Sequence, residues 1–204
     1  MDIKTLSVPP LGANCYIVKN AEFTIVIDPG GAADMIFEAA DRHIDAILLT
    51  HGHFDHAGGS ARLASLTGAP IYVHKEDAAM LSDAKESMAT QFGFSFDAVT
   101  PNVLFEDNET LTWGNLSFRT LHTPGHTAGS TCFLVGDCLF SGDTLFAGTV
   151  GIFAPEKKRQ MQSSVRRLAS LPPHTKLYPG HEGTSTIEAE RTHNPFMNFN
   201  WEWE

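Results

Sequence analysis

The chain has 204 residues, 42% of them hydrophobic and 19% charged, which suits a globular protein with a sizeable core and fits a single domain over 1–204. A net charge of −10 disfavours nucleic-acid partners, because polyanions meet overall repulsion. No apolar run approaches the ~20 residues of a membrane span, "MDIKTLSVPP" lacks a basic-then-apolar leader, and the three cysteines form no CxxC pair, so a cytoplasmic protein with reduced thiols and no membrane partner is expected.

β-rich runs open the chain: "IKTLSV", "NCYIVKN" and "FTIVIDPG", the last stopped by Pro29-Gly30. Helical spacing follows in "AADMIFEAADRH", with Met35, Ile36, Ala39 and Ala40 on one side. "IDAILLT" has the length and apolarity of a buried strand and runs into "HGHFDHAGG", read as a loop. "SARLASLTG" then predicts a helix closed by Gly68, "PIYVH" a strand and "KEDAAMLSDA" a short helix. Residues 85–100 show no clear period, and Phe92, Phe94 and Phe96 suit either a core edge or a flap over a pocket. Strands return in "NVLFEDNETLTW", "LSFRTLHT" and "TCFLVGDCLFSGD", with Gly136-Asp137 as a hairpin turn. "PEKKRQMQSSVRRLASL" reads as a helix begun by Pro155, whose Lys157, Lys158, Arg159, Arg166 and Arg167 form a solvated face in preference to an anion-binding patch. "KLYPGHEG" supplies a last strand and loop, and "TIEAERTH" a helix. Two packed sheets with helices on their outer faces would bury all these runs.

The segment "HGHFDH" places His51, His53, Asp55 and His56 within six positions. Imidazoles and carboxylates are the ligands of zinc and similar ions, and a catalytic site keeps one position open for water. His51 and His53, at a strand end, can clasp one ion, while Asp55 and His56, after a bend, can face a second. Three further candidates lie in Gly-containing loops after β-like runs: His126 in "HTPGHTAGS", Asp143 in "FSGDTLF" and His181 in "LYPGHEGT". Taken singly, each of these three suits a turn or a hydrogen-bonding role. Together with the cluster they supply three ligands to each of two ions and one shared carboxylate. His43, His74, His122, His174 and His193 have no such setting and are read as structural.

"THGHFDHAGG" resembles the signature of the metallo-β-lactamase superfamily, and His126, Asp143 and His181 match its later metal motifs in order and spacing. The resemblance implies an α/β fold, a four-layer αβ/βα sandwich with the metal cleft at one edge. It assigns His51, His53 and His126 to one ion and Asp55, His56 and His181 to the other, with Asp143 bridging. Asp28 of "VIDPG" matches a motif whose aspartate supports the ligand loop from behind. "SGDTLFAGTVG" and "LYPGHEGTSTIEAERTHNPFM" further resemble glyoxalase II, the hydroxyacylglutathione hydrolases, in their short single-domain bacterial form. Two departures stand out. "IFAPEKK" follows "AGTVG" where the family continues with an arginine and an acidic residue, and a short tail over 194–204 stands where full-length glyoxalase II has a glutathione-binding helical domain.

The resemblance implies two divalent ions, zinc being expected and iron or manganese the alternatives. They would make hydroxide available at neutral pH, aimed by Asp55 at the carbonyl of a small-molecule thioester such as lactoylglutathione. Substrate-binding side chains are not assigned. Three rivals use the same residues. A persulfide dioxygenase would hold one iron on His51, His126 and Asp143; a lactone or phosphoester hydrolase would keep the chemistry and change the substrate; a non-catalytic module would use the metals to staple loops.

Overall fold

The structure, a computed structural model, describes residues 1–197. β1 (Asp2–Val8), β2 (Ala13–Lys19) and β3 (Thr24–Ile27) form an antiparallel meander. Helix α1 (Ala33–Ala39) returns the chain so that β4 (Ala46–Leu48) lies parallel to β3. Helices α2 (Phe54–Ala57) and α3 (Ser60–Thr67) lead to β5 (Ile71–His74). A 3-10 segment, Lys75–Ser82, and helix α4 (Ala89–Phe92) lead on to β6 (Val103–Phe105), completing a six-stranded sheet in sequence order.

The chain then enters a second six-stranded sheet. Its β7 (Thr110–Trp113), β8 (Leu116–His122), β9 (Thr131–Val135) and β10 (Cys138–Gly142) pair antiparallel in succession. A ribbon of β11 (Leu145–Phe146) and β12 (Thr149–Val150) and helix α5 (Lys158–Ala169) precede β13 (Lys176–Pro179), which lies parallel to β10. β14 (Ser185–Thr186) and helix α6 (Ile187–His193) follow.

Strand alternation divides the apolar residues among three layers of core, since successive side chains face opposite sides of a sheet. Cys15, Ile17, Val26, Ile47 and Val73 face outward against Ile36 of α1 and Leu63 of α3. Their neighbours Tyr16, Val18, Ile25, Ile27 and Leu48 face inward and meet Phe118, Phe133 and Phe140 from the second sheet. On its other side that sheet presents Leu121, Cys132, Leu139 and Leu177 to Met161, Val165 and Leu168 of α5 and Ile187 of α6. The result is the expected helix–sheet–sheet–helix sandwich. The amphipathic spacing of α5 follows from this, with Arg159 and Arg166 exposed on its far side.

Several local expectations change. "NVLFEDNETLTW" is two strands in different sheets, β6 and β7, separated at residues 106–109, where Asn108 adopts a positive φ of 60°. Helix α1 stops at Ala39 because Asp41 and Arg42 take left-handed backbone angles, and Met35 is exposed while Ile36 and Ala40 are buried. The short helix expected in "KEDAAMLSDA" is of the 3-10 kind and spans Lys75–Ser82, and Pro155 opens a 3-10 turn ahead of α5. Of the tail, Asn194 is buried and donates to the carbonyls of Phe146 and Thr149, while 198–204 lie outside the described residues.

Candidate metal centre

Every predicted ligand sits just beyond the end of a strand on the same edge of the sandwich. His51 and His53 follow β4, and the "loop" after them is helix α2, which carries Asp55 and His56. His126 follows β8, Asp143 follows β10 and His181 follows β13. Strands from both sheets thus deliver residues distant in sequence to one point. His51, Asp55 and His56 are buried, so the segment is an interior wall and not a solvent-facing turn.

Two sets of ligand atoms form. His51, His53 and His126 make one, with His126 Nε2 2.9 Å from His53 Nδ1. Asp55, His56 and His181 make the other, with His56 Nε2 3.3 Å from His181 Nε2 and His181 Nε2 3.3 Å from Asp55 Oδ2. Ligand atoms on a tetrahedron around zinc, at ~2.0–2.1 Å from the ion, stand about 3.3 Å apart. Asp143 faces both sets: its Oδ1 lies 3.3 Å from His56 Nε2 and its Oδ2 3.5 Å from His126 Nε2. Nitrogens and carboxylate oxygens gathered at these distances have the separation of ligands around a cation.

The far nitrogen of three rings is fixed by the protein. Thr50 Oγ1 donates to Asp28 Oδ2 (2.6 Å), so its oxygen accepts from His51 Nδ1 at 3.0 Å and leaves His51 Nε2 bare. His56 Nδ1 donates to Asp28 Oδ2 (3.0 Å), and His126 Nδ1 donates to the Ile152 carbonyl (2.6 Å). Asp28 therefore lies behind the site as expected. Although it stands close to His51 and His56, its two oxygens are occupied by Thr50 and His56. Among the described residues, His51 Nε2 and Asp143 Oδ1 are buried without a hydrogen-bond partner. Such orphans call for an explanation, and a bound cation supplies one.

The electrostatics match a cation-binding cluster. Burial, with neighbouring imidazoles, pushes His51 well below the usual range and His53 down to about 3, so both stay neutral. Burial also opposes charge on His56, but the Asp143, Asp28 and Asp55 carboxylates overcome it and raise the ring to about 10. Asp55 is opposed by burial too, yet His181 and His56 hold it down at about 2.

Three supporting residues escaped the sequence reading. Asp77, buried in the 3-10 segment, accepts from Gly52 N (3.1 Å), Thr127 Oγ1 (2.7 Å) and Gly129 N (2.6 Å), tying the loop of His51 and His53 to the loop of His126. Asn14 Nδ2 donates to the carbonyls of Pro179 and Glu182, and Tyr16 Oη to that of Pro179, holding the His181 loop. An Asn at the head of an apolar strand was a weak signal for the second clamp; nothing in "KEDAAML" marked the first. Gly180 is required by close approach: a Cβ there would lie 2.1 Å from Asp143 Oδ1. Of the histidines read as structural, His74 and His122 stack on each other, ring centres 4.1 Å apart.

A cavity of about 480 Å³ opens over the ligands and is bordered by His53, Asp55, His126, Asp143 and His181. The Phe-rich stretch divides its roles: Phe92 borders this cavity, Phe94 stacks on Phe54 at 5.3 Å, and Phe96 packs on the outer core. Phe54, between His53 and Asp55, thus anchors the stretch to the ligand segment. In the basic segment, Arg167 bonds Asp107, Asn108 and the His122 carbonyl.

Comparison with known proteins agrees with this geometry. The chain is similar to the hydroxyacylglutathione hydrolase GloC of Haemophilus influenzae, 33% identical over 212 residues, covering 97% of this chain and 99% of that protein. Among solved structures it is similar to BLEG-1, a B3 metallo-beta-lactamase, with TM-score 0.90, 30% identity and coverage of 96% and 99%. It is also similar to TTHA1623 in a di-iron-bound form, with TM-score 0.83, 33% identity and coverage of 95% and 99%. The model of the metallo-beta-lactamase superfamily matches residues 8–181, and by that match, the sandwich and the seven gathered His and Asp side chains, the chain belongs to this superfamily.

Proposed function

We propose that the protein is a two-metal hydrolase acting on a small-molecule thioester. The observation that carries the reading is Asp143, which stands between the two ligand sets, its Oδ1 3.3 Å from His56 Nε2 and its Oδ2 3.5 Å from His126 Nε2 and 3.7 Å from His181 Nε2. His51, His53 and His126 would hold one ion and Asp55, His56 and His181 the other, with zinc expected in both. Bound there, the pair supplies the charge that lowers the pKa of water to near neutral and polarises a carbonyl. The chain's own residues do the rest. Thr50, Asp28 and the Ile152 carbonyl hold the Nδ1 side of three imidazoles, keeping each Nε2 turned toward the ion it would bind. Asp55, ionised and bordering the cavity, accepts a hydrogen bond from the attacking water and aims it. The water oxygen bonds to the carbonyl carbon as the C–S bond breaks, leaving the carboxylic acid, and the proton given up by the water goes to the departing thiolate. The similarity to GloC supports thioester chemistry, and the completeness of both ligand sets supports hydrolysis over a one-iron oxidation. The test is metal content alongside hydrolysis of a thioester panel beginning with lactoylglutathione. Two ions per chain, and turnover lost in Asp143→Asn, are expected; one iron per chain with oxygen uptake on glutathione persulfide would overturn the reading.

A further inference from the structure

We infer that the substrate carries an uncharged alkyl or aryl arm, on its acyl or its thiol side, and that the cavity does not suit an anionic carrier such as glutathione. This deepens the hydrolase reading and rests on it. The cavity, about 480 Å³, falls among small-molecule sites, which run ~300–1,000 Å³. Its wall beyond the ligands is apolar and includes Leu11, Met88, Phe92, Phe146, Ile152 and Phe153. Ile152 is 87% exposed, Phe92 51% and Leu11 44%, yet these side chains from separate segments border one opening. Single exposed apolar residues mean little; several converging on a cleft mark a binding surface.

The charge pattern points the same way. Among the described residues no Lys or Arg borders the cavity, and its charged side chains outside the imidazoles are Asp55 and Asp143. Against Phe92, Phe146, Ile152 and Phe153 the carboxylates of a glutathione arm would lose water, and among the described residues no Lys or Arg borders that wall to pair with them. The basic helix does not supply one, since none of its residues borders the cavity. An uncharged arm has no ionic hydration to give up there and gains apolar contact.

Two series of thioesters on the metal-loaded protein test this. One lengthens the acyl chain on the neutral thiol N-acetylcysteamine; the other keeps an acetyl group and lengthens an alkyl thiol. In at least one series kcat/KM should rise by roughly fourfold per methylene until the cavity is filled, which also identifies the arm concerned. A neutral thioester should exceed the glutathione thioester of the same acyl group, and Ile152→Lys should narrow or reverse that preference. Calorimetry of hexanethiol against ethanethiol provides a readout without turnover, with tighter binding and a more negative heat-capacity change expected for the longer thiol. Flat dependence on length in both series, with the glutathione ester preferred, overturns the inference and leaves the hydrolase reading standing. Absence of all turnover refutes the hydrolase reading, and equal binding of the two thiols then refutes the apolar arm separately.

Discussion

Asp77 makes a sharp test of how the centre is held together. Its carboxylate never faces the cavity, yet it accepts three hydrogen bonds from the two loops that carry His51, His53 and His126. Asp77→Ala leaves two backbone N–H groups and a hydroxyl without this acceptor in a buried place. At roughly 1.5 kcal/mol per bond to a buried carboxylate, the loss is about 4–5 kcal/mol. For a chain of this size, 1 kcal/mol shifts the melting temperature by ~2–4 °C, so a fall of roughly 10 °C or more is expected. The same change should weaken the His51–His53–His126 set about 10–100-fold, the range for loss of an outer support. The set of Asp55, His56 and His181, clamped instead through Asn14 and Tyr16, should change far less. Thermal melts of the metal-free protein and competition with a chromophoric chelator measure both effects. A melting temperature within ~2 °C of the parent, or equal weakening of both sets, would refute the reasoning.

Loading metal at pH 7 should release about one proton from His56, whose ring is raised to about 10 without a cation and must lose its Nε2 proton to ligate; calorimetry in buffers of differing ionisation heat counts it. In the metal-free protein that raised value is a stabilising term, complete below the unfolded value near 6.5 and lost as pH rises toward 10. Melts between pH 6.5 and 10 should show a decline that His56→Ala lacks. Gly180→Ala drives a Cβ into Asp143 and should lower both melting temperature and metal content, measured by thermal unfolding and elemental analysis. Tyr16→Phe removes a buried 2.5 Å bond to Pro179 and should cost ~1–3 kcal/mol in denaturant unfolding.

The layers were legible in the sequence because strand alternation is a local pattern: neighbours such as Ile25, Val26 and Ile27 divide between two cores. The gathering of histidines and aspartates was legible because four of them fall within six positions, and Gly-containing strand ends pointed to the other three. What escaped depends on contacts distant in sequence. β6 and β7 are short β-type runs joined by four polar residues, so nothing in "NVLFEDNETLTW" said that the chain changes sheets near Asn108. Asp77 looked like one more acid on a short helix, and its partners lie 25 to 52 positions away. Met35 fits the helical stripe but falls just outside the contact between α1 and α3.

Ile152 combines two duties on different parts of one residue. Its side chain stands at the mouth of the cavity, while its carbonyl oxygen fixes the ring of His126. Point replacements there can therefore retune what the protein accepts without turning the imidazole, whereas inserting or deleting a residue between Val150 and Pro155 would move that oxygen. Selectivity can drift by exchange of side chains in this stretch; its length is tied to the chemistry.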